Sequence, residues 1–146
     1  MTGASEILRS RTIDLDSPTL YRILRLRADV FVVEQECVFN DLDGRDLEPE
    51  TEVCWIEHDG DVVATLRMIV ESDGSCRVGR VAVRASSRGL GFAAALMRKA
   101  FDLAGDRVVV LDAQSQLSGW YQRLGFVVDG PDFVEDGILH TPMRRP

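Results

Sequence analysis

Hydrophobic positions along this chain change their period several times, and each change marks an element. Leu20, Ile23, Leu24, Arg27, Val30 and Phe31 recur at helical spacing, which predicts a helix with one apolar face. Ser17 is its expected cap, with Pro18 at the first position. Ahead of it, residues 11–15 read as a short leading strand. Residues 36–50 scatter Asp, Gly, Pro and Asn and read as a loop with one short helical turn. Ordered connectors of that length often carry function.

Three strand-like runs follow, at residues 51–57, 62–71 and 76–83, joined by Asp59-Gly60 and Asp73-Gly74. Such dipeptides make hairpin turns, so the three form an antiparallel meander. The alanine-rich segment 93–101 is built from strong helix formers and ends near Gly105. Val108-Val109-Val110-Leu111 is a continuous apolar run, as in a buried parallel strand. A helix starting at Ser115 or Ser118 ends at Leu124, with Gly125 as its left-handed cap. Strands at 126–128 and 140–143 close the chain. The whole predicts one α/β domain over residues 1–146, a mixed, mostly antiparallel sheet flanked by helices.

Composition narrows this picture. At 146 residues, 45% hydrophobic and 28% charged, the chain can bury a substantial core. No apolar run approaches the ~20 residues of a membrane span, and residues 1–6 lack the basic start of a leader. Cys37, Cys54 and Cys76 are odd in number and widely spaced, which fits free thiols in a reducing cytoplasm and no metal site.

The charge is unevenly spread. Residues 29–61 carry twelve acids and one base, net −11, whereas residues 62–128 carry five acids and nine bases, net +4. With a total of −7 and no long basic stripe, nucleic acid is not an expected partner. The acidic front is open to two readings. One is a rim that draws in a cation; the other is a solvated loop that keeps the protein soluble.

The most specific chemistry lies at Arg88-Gly89-Leu90-Gly91-Phe92-Ala93, between the third meander strand and the alanine-rich helix. A strand, a glycine turn and a helix start aim free N–H groups at one point, which favours a phosphate or diphosphate. Neither the Walker A triplet nor the third glycine of a dinucleotide fingerprint is present.

Arg88, Gly91 and Ala93 match the pattern Arg/Gln-x-x-Gly-x-Gly/Ala, and in this the chain resembles the GNAT N-acetyltransferases. Tyr121 to Phe126 is similar to that family's Tyr-x-x-x-Gly-Phe helix end. The segments Leu26 to Gln35, Asp41-Leu42-Asp43-Gly44 and Ala113 to Leu117 resemble the ElaA-type subgroup. The likeness spans roughly residues 20–146.

The resemblance implies the GNAT (acyl-CoA N-acyltransferase) fold and acetyl transfer from acetyl-CoA to a primary amine by direct attack, with no metal. The implied cofactor-binding residues are Val81, Ala82, Val83, Arg88, Gly89, Leu90, Gly91, Phe92, Ala93 and Gln114. In the family a bulge in the strand before the loop aims an N–H at the thioester oxygen; Gly79 or Arg80 is the expected place for it. Tyr121 is the expected donor to the leaving thiolate, since a phenol stays protonated at neutral pH. An attacking amine must lose a proton, and strand 76–83 has no carboxylate where several relatives keep a glutamate. Glu34 is the first candidate base, Asp112 the second and His140 the third.

The expected acceptor is a small-molecule or protein amine, with the acidic front favouring a cationic one, and the expected assembly is a monomer or homodimer without membrane partners. Two rivals stay open. Arg27, Phe31, Asp41 and Asp43 are similar to the front end of acyl-homoserine-lactone synthases. A non-catalytic acyl-CoA sensor would need only the loop.

Overall fold

The computed structural model describes residues 6–146; residues 1–5, most of the segment read above as lacking a leader, lie outside the described residues. Strand β1 (Leu8–Arg11) sits earlier than predicted. It stops at Arg11 because its partner there, Glu52, is where the neighbouring strand begins. A single 3-10 turn, Thr12–Asp14, follows. Helix α1 (Ser17–Arg27) is capped by Asp16, not Ser17: the Asp16 carboxylate accepts the Thr19 N–H at 2.9 Å, which satisfies a first-turn donor that Ser17, already inside the helix, cannot reach.

Beyond Arg27 the predicted helix widens into π-helical turns over Ala28–Glu34. Gln35 and Cys37 donate to Val30 and Val32, five residues back. Such turns are rare and cluster at functional sites. The loop after it holds one 3-10 turn, Arg45–Leu47.

The meander is present as β2 (Glu52–His58), β3 (Asp61–Val70) and β4 (Cys76–Val83). Asp59 and Gly60 both adopt positive φ, 53° and 77°, as a two-residue hairpin turn requires. Helix α2 (Phe92–Ala104) ends at Gly105, and β5 (Val109–Gln114) runs parallel to β4. A 3-10 turn at Ser115–Leu117 leads into α3 (Ser118–Arg123). Strands β6 (Val127–Val128), β7 (Phe133–Glu135) and β8 (Ile138–Arg145) complete the sheet. The β7–β8 hairpin was not predicted; its turn is Asp136-Gly137, both at positive φ.

The sheet order is β1-β2-β3-β4-β5-β8-β6, with β7 also on β8. Every pairing except β4–β5 is antiparallel. Alternation along β2 sends Cys54 and Ile56 to one face and Val53 and Trp55 to the other. The first face packs under α2 and α3 with Leu96, Met97, Ala100 and Phe126. The second packs under α1 with Ile23, Leu26 and Val30. Each such fully buried side chain contributes roughly 1.5–3 kcal/mol, so both faces hold the sheet in place around its central seam.

Candidate active site

That seam is the most unusual part of the sheet. Parallel β4 and β5 pair only at Cys76–Val109 and Arg77–Val110, and beyond these two positions they part. The gap is a cleft of about 490 Å³, walled by Val78, Gly79, Arg80 and Val81 on one side and by Leu111, Asp112 and Gln114 on the other. From Val78 onward the edge of β4 that faces β5 has no strand on it. Its peptide groups can therefore take an extended amide-bearing chain as an added strand.

Register along the other edge of β4 breaks at the same level. Thr65 pairs with Ala82 and Arg67 with Gly79, so Leu66 alone opposes Arg80 and Val81. This is a bulge, and Arg80 carries it with a positive φ of 52°. The irregularity expected at Gly79 or Arg80 thus lies at Arg80.

Behind the bulge the acidic front is partly consumed. Arg27 contacts Asp41 at 3.1 Å and Asp46 at 2.6 Å; Arg67 contacts Asp46 at 3.2 Å and Asp43 at 2.7 Å. Arg80 closes the circuit, with Asp41 at 2.7 Å and Asp43 at 3.4 Å. Three arginines and three aspartates alternate in a ring. Arg27, Asp41, Asp46 and Arg67 are buried. The Arg67 hydrogen bond holds Asp43 far below the usual carboxylate range. Burial alone would raise Asp46, but Arg27 and Arg67 outweigh it and its pKa falls. Burial likewise works against the Arg67 charge, yet Asp43 and Asp46 keep its pKa high. For these three aspartates neither early reading holds: they are neither a solvated loop nor a free rim.

At the far end of β4 lies the glycine loop. Gly89 and Gly91 both take φ of 81°, a region that glycine enters without penalty. An added Cβ at either would meet nothing within 4 Å, so the space beside them is open. The first-turn N–H groups of Phe92, Ala93 and Ala94 have no carbonyl one turn earlier, and Ala95 is the first to bond back, to Gly91. Residues 88–91 are exposed. The loop is thus a rim separate from the central cleft, and it fits a diphosphate.

The structure places the expected site residues unevenly. Tyr121, Val81 and Gln114 line the cleft. Tyr121 is buried, edge-on to Trp120 and Phe126, and burial pushes its phenol up to about 12. Its hydroxyl makes no hydrogen bond to any described residue. The Ala82 and Val83 side chains pack into the two cores, which leaves only their main chain for a ligand. Gln114 donates to Gln35 at 3.2 Å and accepts from Gln116 at 3.0 Å.

Glu34 is not in the cleft wall. It stands against Arg88 in a two-point pair, 2.6 and 2.7 Å, and the Arg88 hydrogen bond lowers its pKa. Asp112 is paired with Arg77 at 3.2 Å. His140 lines the cleft directly opposite Gln114 in register. Its Nδ1 lies 2.8 Å from the Ile138 carbonyl, which can only accept. Nδ1 is therefore the N–H, and Nε2 of the neutral ring keeps its lone pair.

Several lining residues were not read from the sequence as part of the site, although Phe31 stood on the apolar helical face and in the ElaA-like segment. Phe31, Cys37, Phe39, Glu135 and Asp136 reach the cleft from two segments a hundred residues apart, tied where the Cys37 thiol donates to the Asp136 carbonyl at 3.4 Å. Of the ring's aspartates, Asp41 and Asp43 were marked by the ElaA-like segment Asp41-Leu42-Asp43-Gly44, and Asp46 only by the acidity of residues 29–61. Among the described residues no group of three His, Cys, Asp or Glu is placed to hold a metal ion.

Comparison with known proteins agrees with this geometry. Residues 28–145 match the model of the acetyltransferase (GNAT) domain. A UPF0039 protein of Mycobacterium tuberculosis is 45% identical over 137 residues, covering 91% of this chain and 88% of its own. Protein ElaA of Escherichia coli is 36% identical over 139 residues, 90% of each chain, and its crystal structure superposes with a TM-score of 0.90 over 97% of this chain and 99% of that one. An acyl-CoA N-acyltransferase from Pseudomonas aeruginosa superposes with a TM-score of 0.93 at 36% identity, over 98% of this chain and 100% of its own.

Proposed function

This chain belongs to the GNAT acetyltransferase family, and from that premise we propose that it transfers an acetyl group from acetyl-CoA to a primary amine by direct attack. The observation that carries the reading is the split seam: a free β4 edge, a bulge and a buried phenol meet in one cleft. Acetyl-CoA, when bound, supplies a thioester carbonyl already activated for attack.

The chain's own residues do the rest. N–H groups of Gly89, Leu90, Gly91, Phe92 and Ala93 hold phosphate oxygens, and Arg88 adds a charge-assisted bond once released from Glu34. Main-chain groups of Val81, Ala82 and Val83 take the amide-bearing arm. A fixed backbone donor near the bulge meets negative charge developing on the carbonyl oxygen, worth roughly 3–4 kcal/mol for one well-placed N–H. Tyr121, kept neutral by burial, donates its proton to the leaving sulfur. Nε2 of His140 takes the amine proton, a role better suited to it than to Glu34, because His140 lines the cleft and Glu34 stands outside its wall.

The acceptor is cationic in its resting form. Glu135 and Asp136 line the cleft and make no ion pair with any described residue, so they are free to attract an ammonium group. Three free cysteines fit a reducing, cytoplasmic setting. Among the described residues no helix is long and apolar enough to cross a membrane.

The test is thiol release from acetyl-CoA across polyamines, amino acids and peptides. Wild-type protein is expected to release CoA with at least one cationic amine. Tyr121→Phe is expected to lower kcat roughly 100-fold with little change in acetyl-CoA affinity. No release with any amine overturns the proposal in favour of a binding protein.

A further inference from the structure

Resting on the acyltransfer reading, we propose that Arg80 is a positioning residue, clamped by Asp41 and Asp43 so that the β4 bulge keeps one fixed conformation at the reacting end of the cleft. A residue with a full side chain rarely adopts positive φ, yet Arg80 does so at 52°. It does so at the one place where β4 leaves register with β3.

The anchors account for it. The Arg80 Nε lies 2.7 Å from Asp41 Oδ1, Nη2 donates to the Asp41 carbonyl at 3.1 Å, and Nη2 approaches Asp43 Oδ2 at 3.4 Å. The guanidinium also stacks over the Phe39 ring at 5.3 Å. Neither aspartate is loose. Asp41 is held by Arg27 at the end of α1, and Asp43 by Arg67 on β3. The clamp therefore ties the bulge to α1 and β3. The ring thereby occupies the Nε and Nη2 of Arg80. A rigid fork is needed, since only a planar guanidinium reaches both carboxylates at once.

The deciding variant is Arg80→Gly, because glycine takes positive φ freely; it cuts the clamp without straining the turn. We expect kcat to fall 10- to 100-fold while KM for acetyl-CoA stays within about twofold. Amide hydrogen exchange of the unliganded protein at residues 79–82 should accelerate at least tenfold. Arg80→Lys, which keeps charge and loses the fork, should fall between the two on both readouts, and it carries the test if the glycine variant does not fold. Unchanged kcat in an active background, or unchanged exchange at 79–82, overturns the clamp. A wild-type protein that never releases CoA overturns the acyltransfer reading instead, and the exchange result still judges the clamp.

Discussion

Two arginine–carboxylate arrangements stand near β4, one at the glycine rim and one behind the bulge, and they differ in burial more than in distance. Glu34 and Arg88 meet at 2.6 Å with side chains 42% and 44% exposed. Arg27 and Asp46 meet at the same 2.6 Å, but the arginine side chain is only 3% exposed. In water the first pair is nearly balanced by solvent and can exchange partners. In the ring, removing one member leaves its neighbours charged and dry. The glycine rim is thus built to let go of an arginine, and the bulge is built to hold one.

The largest expected effect comes from breaking the buried side. Asp46→Ala strands Arg27 and Arg67 together, and we expect a loss of about 3–5 kcal/mol in unfolding free energy, measured by urea titration. Because Asp43 and Asp46 titrate below their unfolded values, the ring's stabilisation is complete above the unfolded carboxylate pKa of about 3.9. It drains away as pH falls below that toward the folded values. Wild-type midpoints should drop on that acid side, and Asp46→Ala should drop less.

The next test addresses the open side. Acetyl-CoA at about 100 times its Kd should stabilise the wild-type protein by roughly 2.7 kcal/mol. Gly91→Glu places bulk and negative charge where the diphosphate is proposed to sit, and its melting temperature should not respond to acetyl-CoA at all. A response equal to wild type would remove the loop from the binding site.

The smallest effect separates the two regions most cleanly. Glu34→Gln should leave the unfolding midpoint where it is, while acetyl-CoA binding measured by calorimetry tightens a few-fold because Arg88 no longer has to be released. A marked fall in the midpoint would place this pair with the ring.

Much of the fold was legible because local rules sufficed. The Asp59-Gly60 turn, the continuous apolar run before Gln114 and the alanine-rich helix each carry their instruction within a few residues. The glycine loop was legible from a strand, a glycine turn and a helix start in succession, and Tyr121 through family likeness, since a packed aromatic leaves little else in a sequence. What stayed hidden depends on distance along the chain. Arg27, Asp41, Asp43, Asp46, Arg67 and Arg80 come from four segments, and nothing near Asp41 indicates an arginine opposite it. The π-helical turns at Ala28–Glu34 use the same apolar spacing as an ordinary helix. The β7–β8 hairpin, three residues on its shorter side, is too brief to show a period. Glu34 read as the first candidate base for want of any sign that Arg88 would face it.

The seam that opens after two paired positions has an effect on how this molecule can change over time. On the acyltransfer reading proposed above, the donor meets amide groups that every residue possesses along Val81 to Val83, so replacing one aliphatic side chain with another leaves that interaction standing. The opposite mouth, at Glu135, Asp136 and His140, speaks through side chains alone. A handful of substitutions there could redirect the protein to a different amine while its grip on the nucleotide thioester passed unaltered to every descendant.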